Sequence, residues 1–327
     1  MKIRWGIIGT GYISKAFVEA MKVVEDAQLI AVASRTQERA NQFAKEYGIT
    51  TSYGSYEELV HDPRIDAVYI ATPHSEHFAN ASLCIAHRKH VLCEKPMTLN
   101  QEDTKMLAEL AKDANVFLME AMWTKFLPIT NHVKQWLEQD VIGTIEFMDA
   151  KFGFIAEETK ESRLYNKALG GGALLDVGLY PITYALEVLG KMPNEIHAVA
   201  KFSETGVDKV NALQFEYEDG PVVTLHSSIC GEIGTDAVIT GTKGKIVVED
   251  FYGAIKATRY DQTGTLVEKI ELPFDANGYE YEIREVNACI LQGKLESSIH
   301  PMKDAEKIMG ILDTIREKWG LVYPGGK

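Results

Sequence analysis

Short apolar runs alternate with amphipathic stretches through residues 1–120, and few folds accommodate that rhythm. The runs Ile3–Ile8, Leu29–Ala33, Ala67–Ala71, His90–Cys93 and Val116–Met119 are strand-like. Helical patterns fall between them, as at Ile13–Val24, Gln37–Tyr47, Ser75–His87 and Asn100–Ala114. Continuous apolar strands are those buried on both faces, and the amphipathic stretches between them supply the covering helices. A doubly wound parallel sheet is predicted.

After about residue 122 the texture changes. A helix is predicted at Ile129–Gln139 and an alternating strand at Thr144–Phe152. A polar segment then leads into Gly170-Gly171-Gly172 and a further helical stretch. Strand-like runs follow in series: Glu195–Phe202, Asn211–Tyr217, Val222–Ser228, Asp236–Thr240, Lys245–Val248, Ile255–Tyr260 and Leu266–Leu272. Turn signals such as Glu218-Asp219-Gly220 punctuate them. Two helices, near Glu280–Leu291 and Met302–Trp319, close the chain. The expectation is an α/β domain over 1–122. An α+β domain with a large, mostly antiparallel open sheet follows over 123–327, its last helix free to pack back on the first domain. A length of 327 residues suits two such domains, each with its own core.

Charge narrows the function. Lys and Arg number 34 against 47 acidic residues, a net charge of −13, so a general nucleic-acid or acidic-membrane surface is disfavoured. A small anionic ligand remains compatible, because local amides and one arginine outweigh a distant net charge. The four cysteines, Cys84, Cys93, Cys230 and Cys289, form no C-x-x-C, which argues against zinc and dithiol chemistry and for a reducing compartment. With no leader pattern and no apolar run long enough to span a bilayer, a cytoplasmic protein is expected.

Ile7-Ile8-Gly9-Thr10-Gly11-Tyr12-Ile13-Ser14 ends the first strand and opens the first helix. Gly9 permits the tight turn, Gly11 lets a pyrophosphate approach the backbone, and the helix N-terminus offers free N–H groups. Gly9, Thr10, Gly11, Tyr12 and Ile13 are therefore candidate cofactor contacts, and the first domain reads as a Rossmann dinucleotide-binding domain. Ser14 stands where the full fingerprint has its third glycine. At the end of the second strand, Ser34-Arg35-Thr36 offers hydroxyls and positive charge but no carboxylate. An acidic residue there would bind a free ribose diol, whereas arginine and hydroxyls pair with a 2′-phosphate, so NADP(H) is favoured over NAD(H). A helix N-cap at Ser34 or Thr36 is compatible with that role.

Open α/β sheets bind ligands beyond the carboxyl ends of their strands. The fourth strand ends in Thr72-Pro73-His74-Ser75-Glu76-His77 and the fifth in Glu94-Lys95-Pro96. Thr72, Pro73, His74, His77, Glu94 and Lys95 join the candidate cofactor-site residues. His74 and His77 have no evident third ligand, and no metal is expected. In the second domain Leu175-Asp176-Val177-Gly178-Leu179-Tyr180 follows the glycine run. If helical, Asp176 and Tyr180 share a face, although Gly178 and Pro181 interrupt it.

Together the glycine turn, Thr72-Pro73, Glu94-Lys95-Pro96 and the glycine run before Asp176-x-Gly-x-Tyr180 resemble the Gfo/Idh/MocA oxidoreductase family, over essentially the whole chain. Glu120-Ala121-Met122-Trp123-Thr124-Lys125-Phe126-Leu127-Pro128 and Tyr180 look most like its branch of dimeric dihydrodiol and NADP-dependent D-xylose dehydrogenases. Inositol dehydrogenase-like members carry histidine where Tyr180 stands, which argues against inositol. The resemblance implies hydride exchange between nicotinamide C4 and a carbon of a sugar, polyol or cyclic diol. It also implies Lys95, Asp176 and Tyr180 as catalytic residues, a cis Lys95–Pro96 peptide and a homodimer. Either Tyr180 or Lys95 is the direct proton donor. Substrate contacts are sought at Trp123, Phe154, Arg163 and Tyr279. Two other classes stay open: a nucleotide sensor of this fold without turnover, and an adenosyl-dependent methyltransferase suggested by the glycine turn alone.

Overall fold

A computed structural model describes residues 2–159 and 161–324. The chain divides into two compact units, residues 1–123 with 275–309 and residues 124–274 with 310–327.

The first unit begins β1 (Ile3–Ile8), α1 (Tyr12–Met21), β2 (Ala27–Ala33), α2 (Gln37–Tyr47), β3 (Thr51–Tyr53) and α3 (Tyr56–Val60). It continues with β4 (Ala67–Ile70), α4 (His77–Ala86), β5 (His90–Glu94), α5 (Gln101–Ala114) and β6 (Leu118–Ala121). All six strands pair in parallel, in the order β3-β2-β1-β4-β5-β6. That order reverses beside β1, which puts a crevice at the carboxyl ends of β1 and β4. Every residue of β4 is buried, as a strand covered on both faces requires. On one face Ile8, Ile30, Val68 and Val91 pack with Ala81, Cys84 and Leu107. On the other, Phe17 of α1 stacks on Tyr69 at 3.8 Å, and Trp5 donates to Asn287 at 3.0 Å.

Asn287 belongs to α8 (Tyr279–Leu291), which the sequence reading placed in the second domain. Its other amide atom donates to Asp26 at 2.8 Å, and Met302 and Ala305 at the start of α9 (Met302–Trp319) join the first core. The polypeptide therefore returns to its first unit after the second sheet is complete. The sequence reading also lacks β3 and α3. At three and five residues they are too short to show a period, and β3 is only half-buried.

The second unit holds α6 (Pro128–Glu138), β7 (Ile145–Gly153), α7 (Leu179–Leu189), β8 (Glu195–Phe202), β9 (Asp208–Glu216) and β10 (Val222–Ser228). β11 (Ala237–Gly241), β12 (Gly244–Glu249), β13 (Lys256–Asp261) and β14 (Leu266–Glu271) complete it. The eight strands run in the order β14-β13-β12-β11-β7-β10-β9-β8. All pairs are antiparallel except β7 with β10. Alternating burial along β9 and β10 marks one face turned to the helices, where Leu213, Phe215, Val223 and Leu225 are buried.

The helical stretch Lys167–Leu189 has the length and apolarity to cross a bilayer, but 78% of its apolar window is buried inside the fold. A core helix under a sheet needs the same apolar side chains as a membrane span.

Candidate active site

The first unit contributes a turn shaped for an anion. Gly9 has φ +106°, and a Cβ there would stand 2.5 Å from the Ala71 carbonyl oxygen, so only glycine fits. Gly11 has ordinary extended geometry, and a Cβ on it would meet nothing within 4 Å. That open space faces the start of α1, which has no side-chain cap and no acidic residue in its first turn. Its orphan N–H groups and positive dipole end suit a phosphate group. Ser14 is buried and donates to the Gly9 carbonyl at 3.0 Å, which closes the turn where the full fingerprint has glycine. Tyr12 lies 85% exposed beside the opening.

At the end of β2, Ser34 is buried with its hydroxyl 3.4 Å from that of Thr10. Arg35 is exposed, and the Thr36 hydroxyl accepts from the Arg39 N–H as the N-cap of α2. Thr72 is held by Asn80, whose amide donates to its hydroxyl at 3.1 Å. His77 is buried, with Nε2 2.8 Å from the Thr72 carbonyl and Nδ1 2.8 Å from the Pro96 carbonyl. It thereby ties the β4 loop to the β5 loop. His74 is buried with its ring 5.8 Å from that of His77.

Lys95 is half-buried at the tip of β5, and the peptide to Pro96 is cis. The residues flanking it in sequence are held by buried groups. The Met97 N–H donates to Glu120 at 2.8 Å, and the other Glu120 oxygen lies 2.9 Å from His300 Nε2, both residues being buried. Tyr69 donates to Glu94. Burial pushes the Glu94 carboxyl up, against the pull of Tyr69 and Lys95. Glu282 of α8 is fully buried, and neither carboxylate oxygen has a hydrogen-bond partner among the described residues. Burial and the Glu94 charge push its carboxyl well above the usual carboxylate range. Sequence reading missed Glu282 and His300, which carry no local motif. Trp123 and Tyr279, both sought as substrate contacts, stack at 4.6 Å with rings 5° from parallel.

In the second unit, residues Leu174–Gly178 form a π-helical turn that runs into α7. Pro181 has no N–H to give back to Val177, and a wider turn precedes it. Asp176 is buried and accepts from Arg163 at 2.9 Å, so two predicted residues form one ion pair. Tyr180 is 7% exposed in an aromatic cluster. Its ring lies 5.5 Å from Phe152 and 6.0 Å from Tyr252, which stack on each other at 4.1 Å, and Phe154 is 6.4 Å from Phe152. Phe152 and Tyr252 were missed. The Phe152-x-Phe154 spacing, which places both on one face of an extended chain, was the available signal.

Among the described residues, one group has metal-ligand chemistry: Glu195, His197 and Glu216, exposed on β8 and β9, with His197 bonded to Glu216 at 2.9 Å.

Residues 3–122 match the family model of an oxidoreductase family with an NAD-binding Rossmann fold, and residues 130–247 match the GFO/IDH/MocA C-terminal domain. The chain belongs to the GFO/IDH/MocA oxidoreductase family. It is 35% identical to a trans-1,2-dihydrobenzene-1,2-diol dehydrogenase of Xenopus tropicalis, over 99% of this chain and 100% of that one. Levoglucosan dehydrogenase, solved with NADH and levoglucosan, shares its fold with a TM-score of 0.87 at 20% identity, over 98% of each chain. A 3-ketoreductase from Actinomadura kijaniata, solved with NADP and TDP-benzene, does so at 0.86 and 24%, over 97% of this chain and 98% of that one. The GFO/IDH/MocA fold thus accounts for both sheets, and the family's NAD-binding Rossmann domain supports a nicotinamide cofactor.

Proposed function

We propose that this GFO/IDH/MocA member is an NAD(P)-dependent dehydrogenase that prefers NADP(H) and acts on a CH–OH carbon of a sugar, polyol or cyclic diol. The observation that carries the reading is the Gly9–Gly11 turn: it is open at Gly11 and ends on an uncapped helix start. The residues present fit the cofactor. Gly9, Thr10, Gly11, Tyr12 and Ile13 would hold the pyrophosphate on backbone N–H groups, and Ser34, Arg35 and Thr36 would hold the ribose 2′-phosphate. Thr72, Pro73, His74, His77 and Glu94 shape the wall at the nicotinamide end. When bound, the nicotinamide supplies or accepts the hydride.

The chain itself handles the proton. In the reductive direction the Tyr180 hydroxyl gives its proton to the substrate carbonyl oxygen as a hydride reaches the same carbon, and in the oxidative direction the phenolate so formed takes the proton back from the substrate hydroxyl. The Lys95 ammonium stabilises the negative charge that develops on oxygen. Asp176, held by Arg163, orients Lys95 or the substrate hydroxyl. Trp123, Tyr279 and Phe154 offer flat apolar surface to a sugar face or a cyclic diol. The likeness to dihydrodiol dehydrogenases supports the diol end of this range.

The functional unit is a homodimer in this reading. The outer face of the second sheet exposes Phe147, Val222 and Val199, and holds a hollow of about 540 Å³ lined in part by Val210, Ala212 and Ile233. Four free cysteines fit a reducing cytoplasm.

The test is reduction of NADP⁺ and NAD⁺ by the purified protein with aldoses, inositols, sugar acids and a trans-dihydrodiol, with Tyr180→Phe as control. Turnover that prefers NADP⁺ and is lost in the control is expected. Failure to bind either nucleotide in a direct titration would refute the reading.

A further inference from the structure

The second glycine turn, Gly170–Gly172, is closed from below by a buried carboxylate. Asp208, at the start of β9, is fully buried. Its Oδ2 accepts from the Leu174 N–H at 2.8 Å and from the Asn211 amide at 2.9 Å. Its Oδ1 has no hydrogen-bond partner among the described residues. Gly172 has φ +118°, and a Cβ there would stand 2.5 Å from that Oδ1, so the turn is pressed directly onto the carboxyl group. The tail of the chain adds a second tether: the buried Tyr323 hydroxyl donates to the Gly171 carbonyl, and the Arg316 guanidinium lies 5.2 Å from the Tyr323 ring centre.

We propose that Asp208 is a positioning residue: it grips the first N–H of the segment that carries Asp176 and Tyr180, and so sets where those two side chains stand. The proposal rests on the reading of Asp176 and Tyr180 given above. Nothing local marks Asp208, which lies 28 residues beyond Tyr180.

The grip is sensitive to pH. Burial pushes the Asp208 carboxyl up to about 7, against the pull of Asn211, the Leu174 N–H, its own N–H and Arg316. The charged and titratable groups facing it are Arg316, itself paired with Asp313, and the Tyr323 hydroxyl, which burial and the Asp208 charge push well up. An ionised acceptor holds an N–H more strongly than a neutral one. The turn is therefore held tightest above about pH 7. Stability runs the other way. Because the folded carboxyl binds its proton more tightly than the unfolded one, its contribution is full at low pH and is lost as pH rises through about 7. Activity that rises while stability falls over one pH window separates positioning from a merely structural role.

The experiment is a pH titration of the Leu174 amide resonance in ¹⁵N-leucine-labelled whole protein, beside the pH profile of kcat. In the wild type the amide is expected to titrate with a midpoint near 7, and kcat to rise with the same midpoint. Asp208→Asn, which keeps the acceptor and removes the proton, is expected to abolish both transitions. It should lower kcat at pH 8 about fivefold, with cofactor Kd unchanged. A Leu174 amide that does not titrate, or that titrates equally in Asp208→Asn, overturns the proposal. So does a kcat profile identical in both proteins. If the variant does not fold, the wild-type titration alone decides. An inactive wild type whose Leu174 amide titrates would refute the proposed reaction and leave the grip established.

Discussion

Two glycine-rich turns lead into helices in this chain, and they are used in opposite ways. At Gly9–Gly11 the space beside the turn is empty, and the helix start has no side-chain cap. At Gly170–Gly172 the equivalent space holds Asp208, and the Leu174 N–H at the start of the following helical segment is already bonded. The first turn leaves its helix start without a side-chain cap. The second spends its backbone donors inside the protein, and so fixes side chains further along. A glycine run before a helix is thus no evidence for phosphate binding until its surroundings are known.

The comparison can be broken at its functional ends first. Lys95→Ala removes, from the unit with the open turn, the ammonium proposed to stabilise the developing charge; turnover should fall about 1000-fold while cofactor Kd stays within about twofold. Steady-state kinetics beside a fluorescence titration measures both, and unchanged turnover would dismantle the site assignment.

Next come the turns themselves. Gly172→Ala forces a side chain into positive φ and against Asp208, and should cost about 3 kcal/mol of stability in a denaturant melt while sparing cofactor affinity. Gly11→Ala should do the reverse: an unchanged melt, with cofactor affinity down about tenfold, or about 1.4 kcal/mol. If both substitutions behave alike, the contrast between the turns is empty.

Tyr180→Phe tests the segment that the closed turn positions, and turnover should drop about 100-fold. Near-normal rates would move the proton to Lys95. Arg35→Ala sharpens the open half, weakening NADPH binding by about 1.5–3 kcal/mol and leaving NADH binding as it was. Equal losses for the two cofactors in calorimetry would remove the 2′-phosphate role.

What could be read in advance followed from periodicity. β1, α2, β8, β10 and α9 match the predicted bounds, because buried strands and amphipathic helices write their burial into residue order. The Gly9 turn, the β4 and β5 tips and the Asp176–Tyr180 segment were visible as motifs for the same reason: each is a few consecutive residues with one local task. The Asp176–Arg163 ion pair and the Trp123–Tyr279 stack were legible only as separate residues, not as contacts. Glu282, Tyr252, Asp208 and Tyr323 gave no warning. An acidic residue or tyrosine looks alike in sequence whether solvated or buried, and burial is what changes its chemistry.

The sequence by itself determined the two sheets, the anion-ready turn and the residue types available for hydride and proton transfer, because those depend on neighbours a few positions apart. Only the tertiary structure decided that α8 returns to cover the first sheet, that one glycine turn stays open while the other is clamped, and that burial pushes a carboxyl group on β9 up to about 7. These depend on contacts between distant segments, and their energies come from desolvation and close packing, which exist only once the chain has folded.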